Sequence, residues 1–259
     1  MRVLFIGDIV GNIGRSAVKA LIPPVVSRYK IDFVIANGEN AAGGFGITEQ
    51  VAAEIFGLGI HVITSGNHIW DKKEAIPYIA KEHRILRPLN YPPGVPGSGS
   101  VVCSHYGVKV AVINLSGRVF MTSADCPFRV GMGEIERLLN DTNLIIIDFH
   151  GEATSEKIAF GYYVDGKVSA VIGTHTHVQT ADEKILPGGT AYITDVGMTG
   201  PAVSVIGIEK DQIIERFLFH MPRKFDTAKG NGIFSAVVIE IDEKKGKSTA
   251  IQRLQLTYP

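Results

Sequence analysis

The sequence predicts an α/β protein built on a largely parallel sheet, and two observations carry that expectation. Seven short apolar runs, at 3–6, 33–36, 61–64, 110–114, 144–148, 169–173 and 191–194, are mostly continuous rather than alternating. Strands buried on both faces have that pattern. Helix-like stretches stand between several of them, and strand–helix alternation requires parallel crossovers.

The run at 3–6 is a first strand. It has one early arginine and too few apolar residues for a secretion signal. A helix is expected over 15–29, kinked or split by Pro23 and Pro24. A second is expected over 48–58, starting at Thr48 and Glu49, and a third over 72–81 with Asp71 as its N-cap. The Pro- and Gly-rich stretch 87–99 interrupts the alternation. After it, SVVCSHYGVKVAVIN reads as a hairpin turning at Tyr106–Gly107. The C-terminal FSAVVIEIDEKKGKSTAIQRLQLTY reads as a second, with Lys244, Lys245, Gly246 and Lys247 forming a solvated turn. Both hairpins are antiparallel additions. With no linker, repeat or low-complexity tract, residues 1–259 are expected to form one domain.

Composition narrows the function. The chain has 259 residues, 45% hydrophobic and 20% charged, which is ordinary for a globular protein. Twenty-six basic residues balance twenty-six acidic ones. A neutral chain has no broad footprint for duplex nucleic acid or an anionic membrane, so anionic ligands must be held locally. Cys103 and Cys126 match no metal-site spacing and imply no disulfide framework, which fits a reducing cytoplasm. No stretch approaches the ~20 apolar residues of a membrane helix.

In open α/β sheets, ligands bind beyond the carboxyl ends of the strands. Five such ends here carry Asp8, the segment 37–40, Asn67–His68, His150, and His175 with His177. Each alone has an ordinary explanation as a helix cap, a hydrogen-bonded histidine or an Asn–Gly turn. Together they are rich in metal-ligand types. His175 and His177 are two apart; an extended chain would put them on one side, whereas a turn would splay them toward adjacent ions. Glu39 and Asn40 are consecutive, and a carboxylate can bridge two cations. A mixed set of histidine, carboxylate and amide favours Fe, Mn or Zn over Mg or Ca. The lack of cysteine in the set argues against a structural zinc site. Two divalent ions bring four positive charges; Asp8, Glu39 and a bridging hydroxide return three, so the site would draw an anion. Two ions ~3.5–4 Å apart suit in-line displacement at phosphorus.

The order Asp8, Glu39–Asn40, Gly66–Asn67–His68, His150, Gly173–Thr174–His175–Thr176–His177 resembles the calcineurin-like metallophosphoesterase superfamily. More narrowly, GDIVGNIGR (7–15), NGENAAGGFGIT (37–48), TSGNHIWD (64–71), DFHGEATSEK (148–157), GTHTHVQTAD (173–182) and TDVGMTGP (194–201) resemble the bacterial YmdB-like phosphodiesterases. Val10 stands where the broader pattern has histidine, and Gly38–Glu39–Asn40 where it has Gly-Asp. Both departures belong to the narrower branch and weigh against a general protein phosphatase.

The resemblance implies a four-layered α/β sandwich with a dinuclear centre at the strand ends. Asp8, Glu39, Asn40 and His177 would hold one metal; Glu39, Asn67, His150 and His175 the other. The ions expected are Fe/Fe or Fe/Mn, with Mn or Zn as alternatives. The implied reaction is hydrolysis of a 2′,3′-cyclic nucleotide such as 2′,3′-cyclic AMP by a metal-bound hydroxide. His68 would be the general acid that protonates the departing ribose oxygen. Its position beside a proposed ligand also qualifies it, although it could instead orient Asn67 or the bridging water. A phosphomonoesterase or nucleotidase, a phosphodiesterase acting on RNA or RNA ends, and a non-catalytic nucleotide- or RNA-binding regulator are the rival readings.

Other residues remain open at this level. Asp148 and Glu152 flank His150 and are either partners of the ligand histidines or a strand-end charge and a helix start. Asp195 and Gly197 lie in a loop that either approaches substrate or simply turns. Arg118 and Arg129 bracket the aperiodic VFMTSADCPF, which is a lid, a subunit contact or a packed loop; as a lid or subunit contact, it would let an arginine such as Arg118 meet phosphate. A homo-oligomer fits the apolar segment 119–132, and no membrane partner is expected. Trp70 is expected to pack, and His61, His83, His105 and His220 to be structural or at the surface.

Overall fold

The computed structural model describes residues 1–222 and 224–259. Its strands are β1 (Arg2–Ile6), β2 (Asp8–Ile9), β3 (Phe33–Asn37), β4 (Val62–Thr64), β5 (Ser100–His105), β6 (Val108–Ser116), β7 (Ile145–His150), β8 (Ala170–Thr174), β9 (Lys184–Ile185), β10 (Ala191–Ile193), β11 (Met198–Pro201), β12 (Gly232–Asp242) and β13 (Lys247–Tyr258). They form two sheets. The first has the order β2-β11-β12-β1-β3-β4, with β13 paired along β12. The second has the order β5-β6-β7-β8-β10-β9. The strands β1-β3-β4 run parallel out to one edge of the first sheet, and the parallel strands β6-β7-β8-β10 form the centre of the second. The first hairpin lies at an edge of the second sheet, while β12 of the second hairpin runs antiparallel beside β1.

The alternation of side chains along each strand builds the layers. Val3 and Phe5 of β1, with Phe33 and Ile35 of β3, pack against Val110 and Val112 of β6 and Ile146 of β7. That is the contact between the sheets. Leu4, Ile6, Val34 and Ala36 face the other way, toward α1 (Gly11–Tyr29) and α2 (Glu49–Gly57). Ala111, Ile113, Ile145 and Ile147 face α4 (Pro127–Leu138) and α5 (Thr154–Tyr163). The order helix, sheet, sheet, helix is the expected four-layered α/β sandwich. Because both faces of each sheet are covered, the strands read as continuous apolar runs.

Several local expectations need correction. α1 begins at Gly11 rather than Arg15 and runs unbroken through Pro23 and Pro24. Both prolines are exposed, and so are Lys19 and Ala20, whose carbonyls lose their helical donors and face solvent instead. The third predicted helix is a 3₁₀ turn at Lys73–Ala75 followed by a single turn, α3 (Ile76–Ile79). Asp71 does not cap it; its carboxylate is engaged by His68. Thr48 does cap α2, accepting from Val51 N at 3.3 Å. The aperiodic segment at 119–132 becomes helical from Pro127, where Gly131, Ile135 and Leu138 supply a narrow buried stripe. α6 (Lys210–Phe219) buries none of its residues. No helix among the described residues is long and apolar enough to cross a membrane.

The site depends on a tight crossing of β1 and β11. Asp8 N donates to Gly197 O at 3.1 Å, and a Cβ on Gly7 would lie 1.9 Å from that same carbonyl oxygen. We therefore expect Gly7→Ala to lower the urea midpoint and to weaken divalent-metal binding, because Asp8 is displaced with its neighbour. A variant with the wild-type midpoint and metal content would show that the crossing is not constrained.

Candidate metal centre

Five loops or strand ends meet at one end of the sandwich. Asp8 follows β1, Glu39 and Asn40 follow β3, and Asn67 and His68 follow β4. His150 ends β7, and His175 and His177 follow β8. Gly66 permits a close approach, since a Cβ there would lie 2.0 Å from the ring of His150. His175 and His177 have φ of 100° and 65°. Left-handed backbone at both splays the side chains, so of the two arrangements open to residues two apart the chain adopts the turned one.

The protons can be traced. The Thr174 hydroxyl donates to Asp148 Oδ1 at 2.6 Å, so its oxygen accepts from His150 Nδ1 at 2.9 Å. That leaves a lone pair on His150 Nε2. Around this nitrogen lie Glu39 Oε1 at 2.9 Å, Asn67 Oδ1 at 3.1 Å and His175 Nδ1 at 3.0 Å. His175 directs its other nitrogen to Glu152 Oε2 at 3.1 Å, which leaves Nδ1 bare as well. A second group stands beside the first. His177 Nδ1 donates to Ile206 O at 2.9 Å, which turns Nε2 inward; it lies 3.7 Å from Asp8 Oδ1 and 3.2 Å from Asn40 Nδ2. With His150 neutral, Asp8 Oδ1 and Glu39 Oε1 are buried and accept no hydrogen bond. Glu39 Oε2 accepts from His68 N at 2.9 Å. Buried lone pairs turned toward one another without protons repel, and a cation is what makes such an arrangement favourable. The donor set of imidazoles, carboxylates and amides fits first-row ions.

Electrostatics shows what replaces a cation in the metal-free protein. Burial would raise the Glu39 carboxyl, but the charge and hydrogen bond of His150, with those of His68, hold it down at about 2. Burial would lower His150, but Glu39, Asp8 and Asp148 lift it to about 9. Burial and the charge of His150 push His175 down to about 3. Burial raises Asp8 against the pull of His177 and His150. At neutral pH a proton on His150 therefore stands in for the metal.

A cavity of about 370 Å³ opens over these groups. His68, His175 and His177 line it with Phe45, Ile206 and Ile208. His68 presents its ring at the rim, Nδ1 lying 2.7 Å from Asp71 Oδ2 and the ring 5.2 Å from that of Phe45. Asp71 was legible as a neighbour of the motif, but its role as the partner of His68 was not. Ile206 carries no ligand type and gave no signal. Trp70 packs against the first helical layer.

Three expected substrate contacts are not placed in this cavity. Asp195 is fully buried behind the histidine loop. Its Oδ2 binds Lys157 Nζ at 2.7 Å and accepts from Thr176 N at 3.0 Å, and its Oδ1 accepts from Gly197 N at 2.8 Å. Gly197, with φ 77°, packs against Gln179, where a Cβ would meet backbone nitrogen at 2.8 Å. Arg118 is exposed; its backbone N–H is held by Glu156 at 3.1 Å, and its side chain does not line the cavity. The segment beyond it does not line the cavity either. Lys157, which sequence reasoning passed over, is buried on α5 and also donates to Thr174 O at 2.6 Å.

The fold and this donor set define a metallophosphoesterase. A family model described as YmdB-like protein matches residues 4–254. The chain is 49% identical over 254 residues to a 2′,3′-cyclic-nucleotide 2′-phosphodiesterase of Bacillus subtilis, covering 98% of this chain and 96% of that protein. Among solved structures, a hypothetical protein of Thermus thermophilus superposes with a TM-score of 0.92 at 42% identity, with 100% of each chain covered. A phosphatase of Mycoplasma pneumoniae superposes with a TM-score of 0.94 at 34% identity, covering 100% of this chain and 94% of that one. The chain belongs to the YmdB-like family.

Two outcomes follow from the geometry. Binding of Mn²⁺ to metal-free protein will expel the proton from His150, so apparent affinity falls as pH drops below about 9. Calorimetry in buffers of different ionisation enthalpy reads the proton directly, and zero protons released would refute the account. Asp195→Ala will strand the buried Lys157 charge and cost about 3–5 kcal/mol, measured by urea denaturation. The double variant Lys157→Met/Asp195→Leu will recover much of that loss.

Proposed function

We propose that the chain is a phosphoric diester hydrolase that opens 2′,3′-cyclic nucleotides, 2′,3′-cyclic AMP among them, to nucleoside monophosphates. The observation that carries this reading is the placement of His68 and its Asp71 partner at the rim of a cleft floored by the convergent lone pairs. Asp8, Asn40 and His177 would hold one ion and Asn67, His150 and His175 the other, with Glu39 between them. Fe/Fe or Fe/Mn suits these donors, with Mn or Zn as alternatives. Bound there, the two ions neutralise phosphate charge and acidify a water.

The protein's own groups do the rest. Water oxygen bonds to phosphorus as one P–O(ribose) bond breaks, and His68 gives its proton to the departing ribose oxygen. Asp71 holds Nδ1 of His68, which turns Nε2 toward the cleft. Val10, Phe45, Ile206 and Ile208 supply apolar wall for the base. The name of the Bacillus relative supports the substrate class.

In the same reading the chain works as one domain over 1–259 and as a homo-oligomer. The exposed Phe120 and the outward apolar residues Phe217 and Leu218 of α6 support association. The free cysteines, Cys103 and Cys126, suit a reducing cytoplasm.

His68→Ala should lower kcat for 2′,3′-cyclic AMP by roughly 10²–10⁴-fold, with metal content unchanged. Asp71→Asn should cost less, and Asp8→Ala should lose both metal and turnover. Elemental analysis alongside initial rates separates these effects; undiminished turnover in His68→Ala would defeat the assignment.

A further inference from the structure

The metal cleft does not end at its own rim. Gly44 and Phe45 line it, while Gly43 and the same Phe45 line a second, larger cavity of about 700 Å³. Lys72, Lys224 and Lys229 project around this second space, with Phe225 among them. Among the described residues, none of the three lysines forms an ion pair. Two carboxylates also border the space, and one is already engaged, Asp226 Oδ2 accepting from Gln212 Nε2 at 3.0 Å. The remaining one, Glu209, does not balance three ammonium groups. The Gly43–Gly44 backbone, with φ of 73° and 98°, makes a thin partition, and Gly44 has no room for a side chain because a Cβ would lie 2.5 Å from Thr227 Cγ2.

An overall neutral chain that gathers unpaired lysines and two phenylalanines beside a phosphoester cleft has built a local polyanion grip. Such a grip combines charge for the backbone with aromatic faces for bases. We infer that the second cavity binds the nucleotide on the 5′ side of a cyclic-phosphate end, so that the substrates include RNA strands terminating in a 2′,3′-cyclic phosphate. The terminal ribose cyclic phosphate occupies the metal cleft. The next phosphate toward the 5′ end meets Lys72, Lys224 and Lys229, and its base stacks on Phe45 or Phe225. RNA follows from the chemistry, since a 2′,3′-cyclic phosphate requires the 2′-hydroxyl that DNA lacks. With few phosphates held, the dependence on salt is shallow, and selection is for length at the end rather than for a long duplex. The inference rests on the phosphodiesterase reading above.

The test compares adenosine 2′,3′-cyclic phosphate with a trinucleotide ending in the same cyclic phosphate, using metal-loaded wild type and Lys224→Ala/Lys229→Ala. Wild type is expected to favour the trinucleotide by about tenfold in kcat/KM, the effect of one stacked, charge-paired nucleotide. The gain should lie in KM. The double variant should lose this preference and keep mononucleotide turnover and thermal midpoint. Equal kcat/KM for both substrates in wild type, or a preference that survives in the variant, overturns the second site. If wild type hydrolyses neither substrate, the phosphodiesterase reading falls and binding decides the site alone. Fluorescence anisotropy of a labelled trinucleotide 3′-phosphate then supports it if the variant binds about tenfold more weakly, and overturns it if the variant binds equally well.

Discussion

Two buried carboxylates dominate the energetics of this protein. Asp8 and Glu39 are withdrawn from water, and with His150 neutral one oxygen of each accepts no hydrogen bond. Placing an anion in such surroundings costs several kcal/mol unless a cation answers it. The metal-free chain answers with the imidazolium of His150, at a charge lower than two metal ions would bring. The rest of the architecture makes sense as the frame that keeps these oxygens from turning away. Strands buried on both faces cannot rotate their ends toward solvent, and the inter-sheet packing of Phe5, Phe33, Val112 and Ile146 fixes one set of ends against the other.

The frame around the histidines is itself charged. Lys157 and Asp195 form a buried pair directly beneath the loop that carries His175 and His177, and Lys157 also ties down the carbonyl of Thr174. Asp195 spends one oxygen on Thr176 N, between the two histidines, and the other on Gly197 N. A neutral apolar core could fill this volume with comparable stability. It could not hold three backbone groups in place while two successive histidines adopt left-handed φ. The ion pair serves geometry, and the metal ligands inherit its rigidity.

Much of this was legible in sequence because burial on both faces leaves an unambiguous trace. The continuous apolar runs located the central strands, and the ligand types at their ends located the site. What the pattern could not show was direction. Asp195 follows a strand just as Asp8 does, yet it faces inward to a lysine that lies 38 residues earlier in the chain. Asp71 precedes a helical stretch as a cap would, but His68 three residues back offers a ring nitrogen at 2.7 Å and takes it. α6 buries none of its residues, so no packed face marked it in the sequence, and the buried stripe of α4 begins only at Pro127. Short pieces such as β2 and β11 exist through pairing with distant partners, and no local window contains that information.

Ile206 shows how such a frame trades local comfort for the site. Its φ is 47° and that of Gly207 is 100°, in a turn closed by hydrogen bonds between Val205 and Ile208. Asn-Gly suits two successive left-handed positions, whereas a β-branched residue in the first costs roughly 1–2 kcal/mol. The hydrogen bond from His177 uses the backbone carbonyl, which any residue would supply, so it does not explain the isoleucine. The side chain, half exposed, lies along the wall of the metal cleft. The strain is therefore tied to an apolar surface beside the ligands, at a turn whose backbone sets the tautomer of one of them. One residue thus joins the apolar wall of the cleft to the hydrogen bond that turns His177 Nε2 toward Asp8.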